Sequence, residues 1–80
     1  MKYNKLRHVI SEEYSGGERE FARRCGIGEG YFIQMLDEGL EFTGEELWLM
    51  ALELGIANRP EAQEELFFGA DGEDPDGVSA

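Results

Sequence analysis

Positive charge is scarce in this chain. Seven Lys and Arg residues stand against 18 Asp and Glu in 80 residues, a formal net charge of −11 at pH 7. Nucleic-acid binders neutralise phosphates with Lys and Arg, so this balance argues against an ordinary DNA-binding surface. Cysteine is nearly absent too: Cys25 alone excludes an internal disulfide and a cysteine metal cage, and fits a reducing compartment. His8 is the only histidine. With no cysteine or serine partner in its sequence context, it reads as a solvated helix residue, not a catalyst. The amino terminus lacks the apolar run of a signal peptide, and no stretch is apolar for long enough to span a bilayer. The expectation is a soluble, cytoplasmic chain without a metal or other cofactor.

The few bases are unevenly placed. Residues 1–26 hold six of them (Lys2, Lys5, Arg7, Arg19, Arg23, Arg24) against four acids, a local +2. Residues 27–80 hold only Arg59 against fourteen acids, a local −13. Two thirds of the chain would repel a phosphate backbone.

What is present is helical periodicity. Tyr3 to Tyr14 reads as a first helix with Leu6, Val9, Ile10 and Tyr14 inward and Lys2, Lys5, Arg7, Glu12 and Glu13 outward. Ser15-Gly16-Gly17 breaks it. Glu18 to Cys25 is the second helix, with Phe21, Ala22 and Cys25 on one face. Acids in its first turn and Arg23 and Arg24 in its last both suit the helix dipole. Gly26 can adopt the left-handed conformation that ends a helix, Ile27 plugs the corner, and Gly28 opens the next segment. Glu29 to Asp37 is the third helix, with Phe32, Met35 and Leu36 inward, Tyr31 at the edge, and Glu29, Gly30, Ile33, Gln34 and Asp37 outward. Two short helices joined by a glycine turn are the grammar of a helix-turn-helix.

FARRCGI followed by YFIQML is similar to the phage-repressor and Cro type of helix-turn-helix protein. The resemblance covers roughly residues 3 to 56 and includes a closing Leu54-Gly55-Ile56. It implies an all-α, lambda-repressor-like bundle of about five helices, the third lying in the major groove in family members. Carried over by position, the DNA-reading side chains are largely replaced. Glu18 stands where the family usually has glutamine, Glu29 and Gly30 where base-reading residues are common, and Ile33 in place of a small polar residue. Gln34 does match, and glutamine can pair adenine.

Leu40 to Gly44 reads as a short linker, and Gly44 to Leu54 as a fourth helix. Leu47, Met50, Ala51 and Leu54 suffice for a core, yet Trp48, Leu49 and Leu52 are apolar as well. A helix apolar nearly all round carries an interface when the protein is too small to bury it. Asn58-Arg59-Pro60 starts a last helix with Pro60 at its first position, and Ala62, Leu66 and Phe67 can fold back on the domain. Residues 1–69 form the expected domain. Residues 70–80, ADGEDPDGVSA, read as a disordered acidic tail. A calcium loop there would lack its final glutamate.

Three function classes follow. The first is a small phage or mobile-element protein of regulatory or inhibitory type that acts by protein–protein binding. Its acidic face would be Glu29, Asp37, Glu38, Glu41, Glu45 and Glu46, a possible DNA mimic of antirepressor or anti-defence type. Ile33, Trp48, Leu49 and Leu52 would be its apolar anchor. The second is a sequence-specific DNA-binding regulator of the repressor type, using Gln34 with Arg19, Arg23 and Arg24, and a homodimer through the fourth helix. An enzyme is the third, and the residues to assemble one are missing.

Overall fold

The computed structural model describes residues 2–68. The tail expected to be disordered, residues 70–80, lies outside the described residues. Among those described, the chain forms five helices and no strand: α1 (Asn4–Glu13), α2 (Gly17–Cys25), α3 (Glu29–Glu38), α4 (Gly44–Leu54) and α5 (Pro60–Phe67). The all-α class and the order of the helices are as expected. No described helix is long and apolar enough to cross a membrane.

Three helices end by one device. Gly26, Gly39 and Gly55 close α2, α3 and α4 in the left-handed region, with φ of 79°, 66° and 76°. The next residue then donates its N–H back into the helix: Ile27 to the Ala22 carbonyl at 2.9 Å, Leu40 to Met35 at 3.0 Å, and Ile56 to Ala51 at 2.9 Å. Carbonyls that the helix end would leave unpaired are thereby satisfied. The reversal also delivers Ile27 and Ile56 into the core, whereas Leu40 stays exposed. A different device opens α4. The Thr43 hydroxyl accepts from the Glu46 N–H at 3.2 Å, while the Glu46 carboxylate accepts from the Thr43 N–H at 2.9 Å. This capping box was visible in the sequence as Thr-x-x-Glu.

The core is threaded by five aromatic rings in series. Tyr14 packs on Phe21 (centroids 5.2 Å apart), Phe21 on Phe32 (5.6 Å), Phe32 on Phe42 (5.5 Å) and Phe42 on Tyr3 (5.5 Å). Offset and edge contacts of this kind suit the ring quadrupole. Leu6, Ile10, Leu36, Met50 and Phe67 fill the space around the series. Two members depart from expectation. Phe42 belongs to a stretch read as a linker, yet it is buried. Tyr3, taken only as the start of a helix, is buried as well, and its hydroxyl donates to the Leu40 carbonyl at 2.7 Å. Val9 and Tyr14, expected inward, are half-buried. The most extensive helix pairing is α2 with α3; α1 packs on α2 and α5, and α4 on α2.

Candidate interaction surface

The scarce bases are spent within the molecule. Arg7, expected to face outward, is half-buried and ties three helices together. Its Nε and Nη2 donate to the two carboxylate oxygens of Glu18 at 2.7 and 3.1 Å, and Nη2 also donates to Asp37 at 2.8 Å. This fork geometry is the strongest form of a carboxylate pair. Hydrogen bonding to Glu18 is the main reason the Arg7 pKa is raised further. Across the α2–α3 junction, Arg23 meets Glu29 at 2.9 Å and Arg19 approaches the same carboxylate at 3.8 Å. Arg24 pairs with Glu20 at 3.0 Å, Lys5 with Glu65 at 2.8 Å, and Lys2 with Glu41 at 3.8 Å. Among the described residues only Arg59 has no carboxylate partner.

The six carboxylates expected to form one acidic face are therefore of two kinds. Glu29, Asp37 and Glu41 are matched by Arg19 and Arg23, by Arg7, and by Lys2. Among the described residues Glu38, Glu45 and Glu46 have no base. Glu38 accepts only from the Gln34 amide at 3.1 Å. Glu46 serves the capping box and accepts from the Tyr31 hydroxyl at 2.9 Å. Glu45 is exposed and has no partner among the described residues. Five further acids, outside the expected acidic face, also lack a Lys or Arg partner among the described residues: Glu12, which lies 3.9 Å from His8, and Glu13, Glu53, Glu61 and Glu64. No sequence signal distinguishes a paired from an unpaired carboxylate when the partner lies thirty or sixty residues away. The side chains kept for DNA contact are engaged likewise: Arg19 and Arg23 by Glu29, Arg24 by Glu20, and Gln34 by Glu38.

The expected apolar anchor also divides. Trp48 and Leu52 are 51% exposed, whereas Leu49 packs partly against the core and Ile33 is half-buried. Two of the four are open to a partner.

A cleft of about 470 Å³ lies where the ends of α1 and α4 meet α2 and α5, with Tyr14, Glu20, Arg24, Glu53 and Leu54 among its walls. The Tyr14 hydroxyl donates to Glu53 at 2.8 Å. Burial raises the Tyr14 pKa, and the Glu53 hydrogen bond and charge add to the shift. Burial also raises that of Tyr3, with Glu41 adding to it. A phenol whose folded pKa exceeds its unfolded value near 10 contributes stability below that value and loses it as pH climbs toward the folded pKa. Thermal melts are thus expected to show stability falling above about pH 10, less steeply in Tyr14→Phe. Equal slopes would remove Tyr14 as a cause. Cys25 is buried beside this cleft's wall residues, and burial, then Glu53, pushes its thiol up to about 12. It is a protonated core side chain at neutral pH and a poor nucleophile.

Among the described residues no group of three or more His, Cys, Asp or Glu side chains is placed to hold a metal ion. Comparison with protein-family models, curated proteins and solved structures finds nothing that matches this chain.

Proposed function

We propose that this is a small regulatory or inhibitory protein of phage or mobile-element type, in which a repressor-like helix-turn-helix, α2–turn–α3, serves protein binding instead of DNA binding. One observation carries the reading: six of the seven Lys and Arg side chains are occupied by the chain's own carboxylates, while eight of the fourteen described carboxylates have no Lys or Arg partner. Residues 2–68 hold all seven bases and 14 acids, so the described domain is −7 even before the tail is counted.

Single exposed ion pairs are weak, about 0–1 kcal/mol, so a phosphate could displace any one of them. Displacing several at once while bringing DNA against a net negative face is what the arrangement opposes. The complementary partner is a basic protein surface of the kind that normally holds DNA, on a rival regulator or a host defence component. The chain would act there as a stand-in for phosphates, in the manner of an antirepressor or anti-defence inhibitor, in the cytoplasm.

The test is fluorescence anisotropy of a labelled random-sequence duplex pool at low and at physiological salt. No binding is expected even at low salt. Partners captured on the immobilised protein should be released by added duplex DNA. Tight low-salt binding with a steep salt slope, lost on Gln34→Ala, would replace this reading with the sequence-specific regulator.

A further inference from the structure

The cleft between the ends of α1 and α4 and helices α2 and α5 is unevenly charged. Its polar wall carries three carboxylates, Glu13, Glu20 and Glu53, against one base, Arg24. Arg24 pairs with Glu20 at 3.0 Å, so the other two are left over. Glu53 is half-buried and accepts from the Tyr14 hydroxyl at 2.8 Å, and Glu13 is exposed; neither has a Lys or Arg partner among the described residues. A carboxylate can accept about four hydrogen bonds, so Glu53 keeps unused capacity while partly shielded from water. Its charge is felt nearby: the Cys25 thiol, raised first by burial, is raised further by Glu53. Neither Glu13 nor Glu53 belongs to the acidic face expected from the sequence.

The rest of the wall suits something longer than a bare cation. Val9, Leu54 and Leu66 are half-buried apolar side chains lining the same cleft, whose volume is about 470 Å³. An apolar stem ending in a cation matches that division. A guanidinium suits it better than an ammonium, being more weakly hydrated, able to stack on aromatic faces and armed with several donors in one plane. Arg24 behaves in this way on the same wall, its Cζ 5.8 Å from the Tyr14 ring centroid while its guanidinium holds Glu20. Three carboxylates against one guanidinium repel an anionic ligand. We propose, resting on the protein-binding reading above, that the cleft receives an arginine side chain of the basic partner. Its guanidinium pairs with Glu53, supported by the charge of Glu13, and its methylenes lie against Val9, Leu54 and Leu66.

NMR titration of the isotope-labelled full chain with a blocked arginine, N-acetyl-arginine methylamide, tests the proposal. One partly exposed ion pair is weak, so binding in the millimolar range is expected. The amide signals of Tyr14, Glu53, Leu54 and Leu66 should move together. Blocked citrulline, the uncharged isostere, should bind at least about tenfold more weakly, and so should blocked arginine to Glu53→Gln. The new amide can still accept from Tyr14, which preserves the fold. Glu13→Gln, at an exposed position, should weaken binding a few-fold. Arg24→Ala should tighten it, because Glu20 and the Tyr14 ring are then freed for the incoming cation.

Cleft signals unmoved by blocked arginine would overturn the proposal. So would equal binding of citrulline, indifference to Glu53→Gln, or looser binding in Arg24→Ala. Uptake of butylguanidine without blocked arginine would make the cleft a small-molecule site and overturn the assignment to a partner's side chain. The duplex DNA measurement decides the protein-binding reading by itself, so a failed cleft and a failed reading give different results.

Discussion

Phe32→Ala is expected to leave the domain unfolded or nearly so at room temperature. Phe32 has no exposed surface and is the middle ring of the aromatic series, in contact with Phe21 on one side and Phe42 on the other. Removing a buried phenylalanine costs about 3–5 kcal/mol, part in lost transfer free energy and part in the cavity left behind. A domain of this size has roughly 3–10 kcal/mol in total. The cavity here cannot be filled cheaply, because the neighbouring rings are themselves held by Tyr14 and Tyr3 at the two ends of the series. Urea unfolding followed by circular dichroism measures the loss. A cost below about 1.5 kcal/mol, the range of volume-conserving swaps, would mean that the rings do not form one core.

The second large effect concerns charge. Glu29→Gln, Glu38→Lys and Glu41→Lys together should convert the protein into a non-specific DNA binder at low salt. Loss of the Glu29 charge releases Arg19 and Arg23 at the start of α3, and loss of Glu41 releases Lys2. Glu38 holds no base and lies at the other end of α3. Asp37 is left in place because Arg7 depends on it to join α1 to α3. The variant would bring several new cationic contacts to one side of the molecule. Each phosphate neutralised adds about 0.9 to the slope of log affinity against log salt, so a slope of about 3 or more is expected where the parent shows none. Anisotropy against the same duplex pool at two salt concentrations decides it. If the variant also fails to bind at low salt, the α3 side is no remnant of a DNA-reading surface.

Local chemistry along the chain was enough to place the helices. The fourth was read at its observed bounds, and the others within a residue or so, because their signals are short-range. Apolar residues recur three and four apart, glycines stand where a left-handed turn is needed, and Pro60 sits at a helix start. Phe21, Ala22, Cys25, Phe32, Met35 and Leu36 announced the inner faces of α2 and α3 for the same reason. Thr43 and Glu46 carry the Thr-x-x-Glu spacing of a capping box, a local signal that the expected linker over residues 40–44 left out.

What the sequence could not decide is which distant groups meet. Phe42 and Tyr3 entered the core because α1 and the α3–α4 connection close over the same end of the bundle, which no periodicity within either segment reveals. The net charge of −11 and its uneven distribution were plain from composition. The pairing of Arg7 with Asp37, thirty residues away, and of Lys5 with Glu65, sixty away, belongs to the tertiary structure alone. Charges interact through space and not along the chain, so the sequence determined how much negative charge this protein carries, and the fold decided which of it faces outward unmatched.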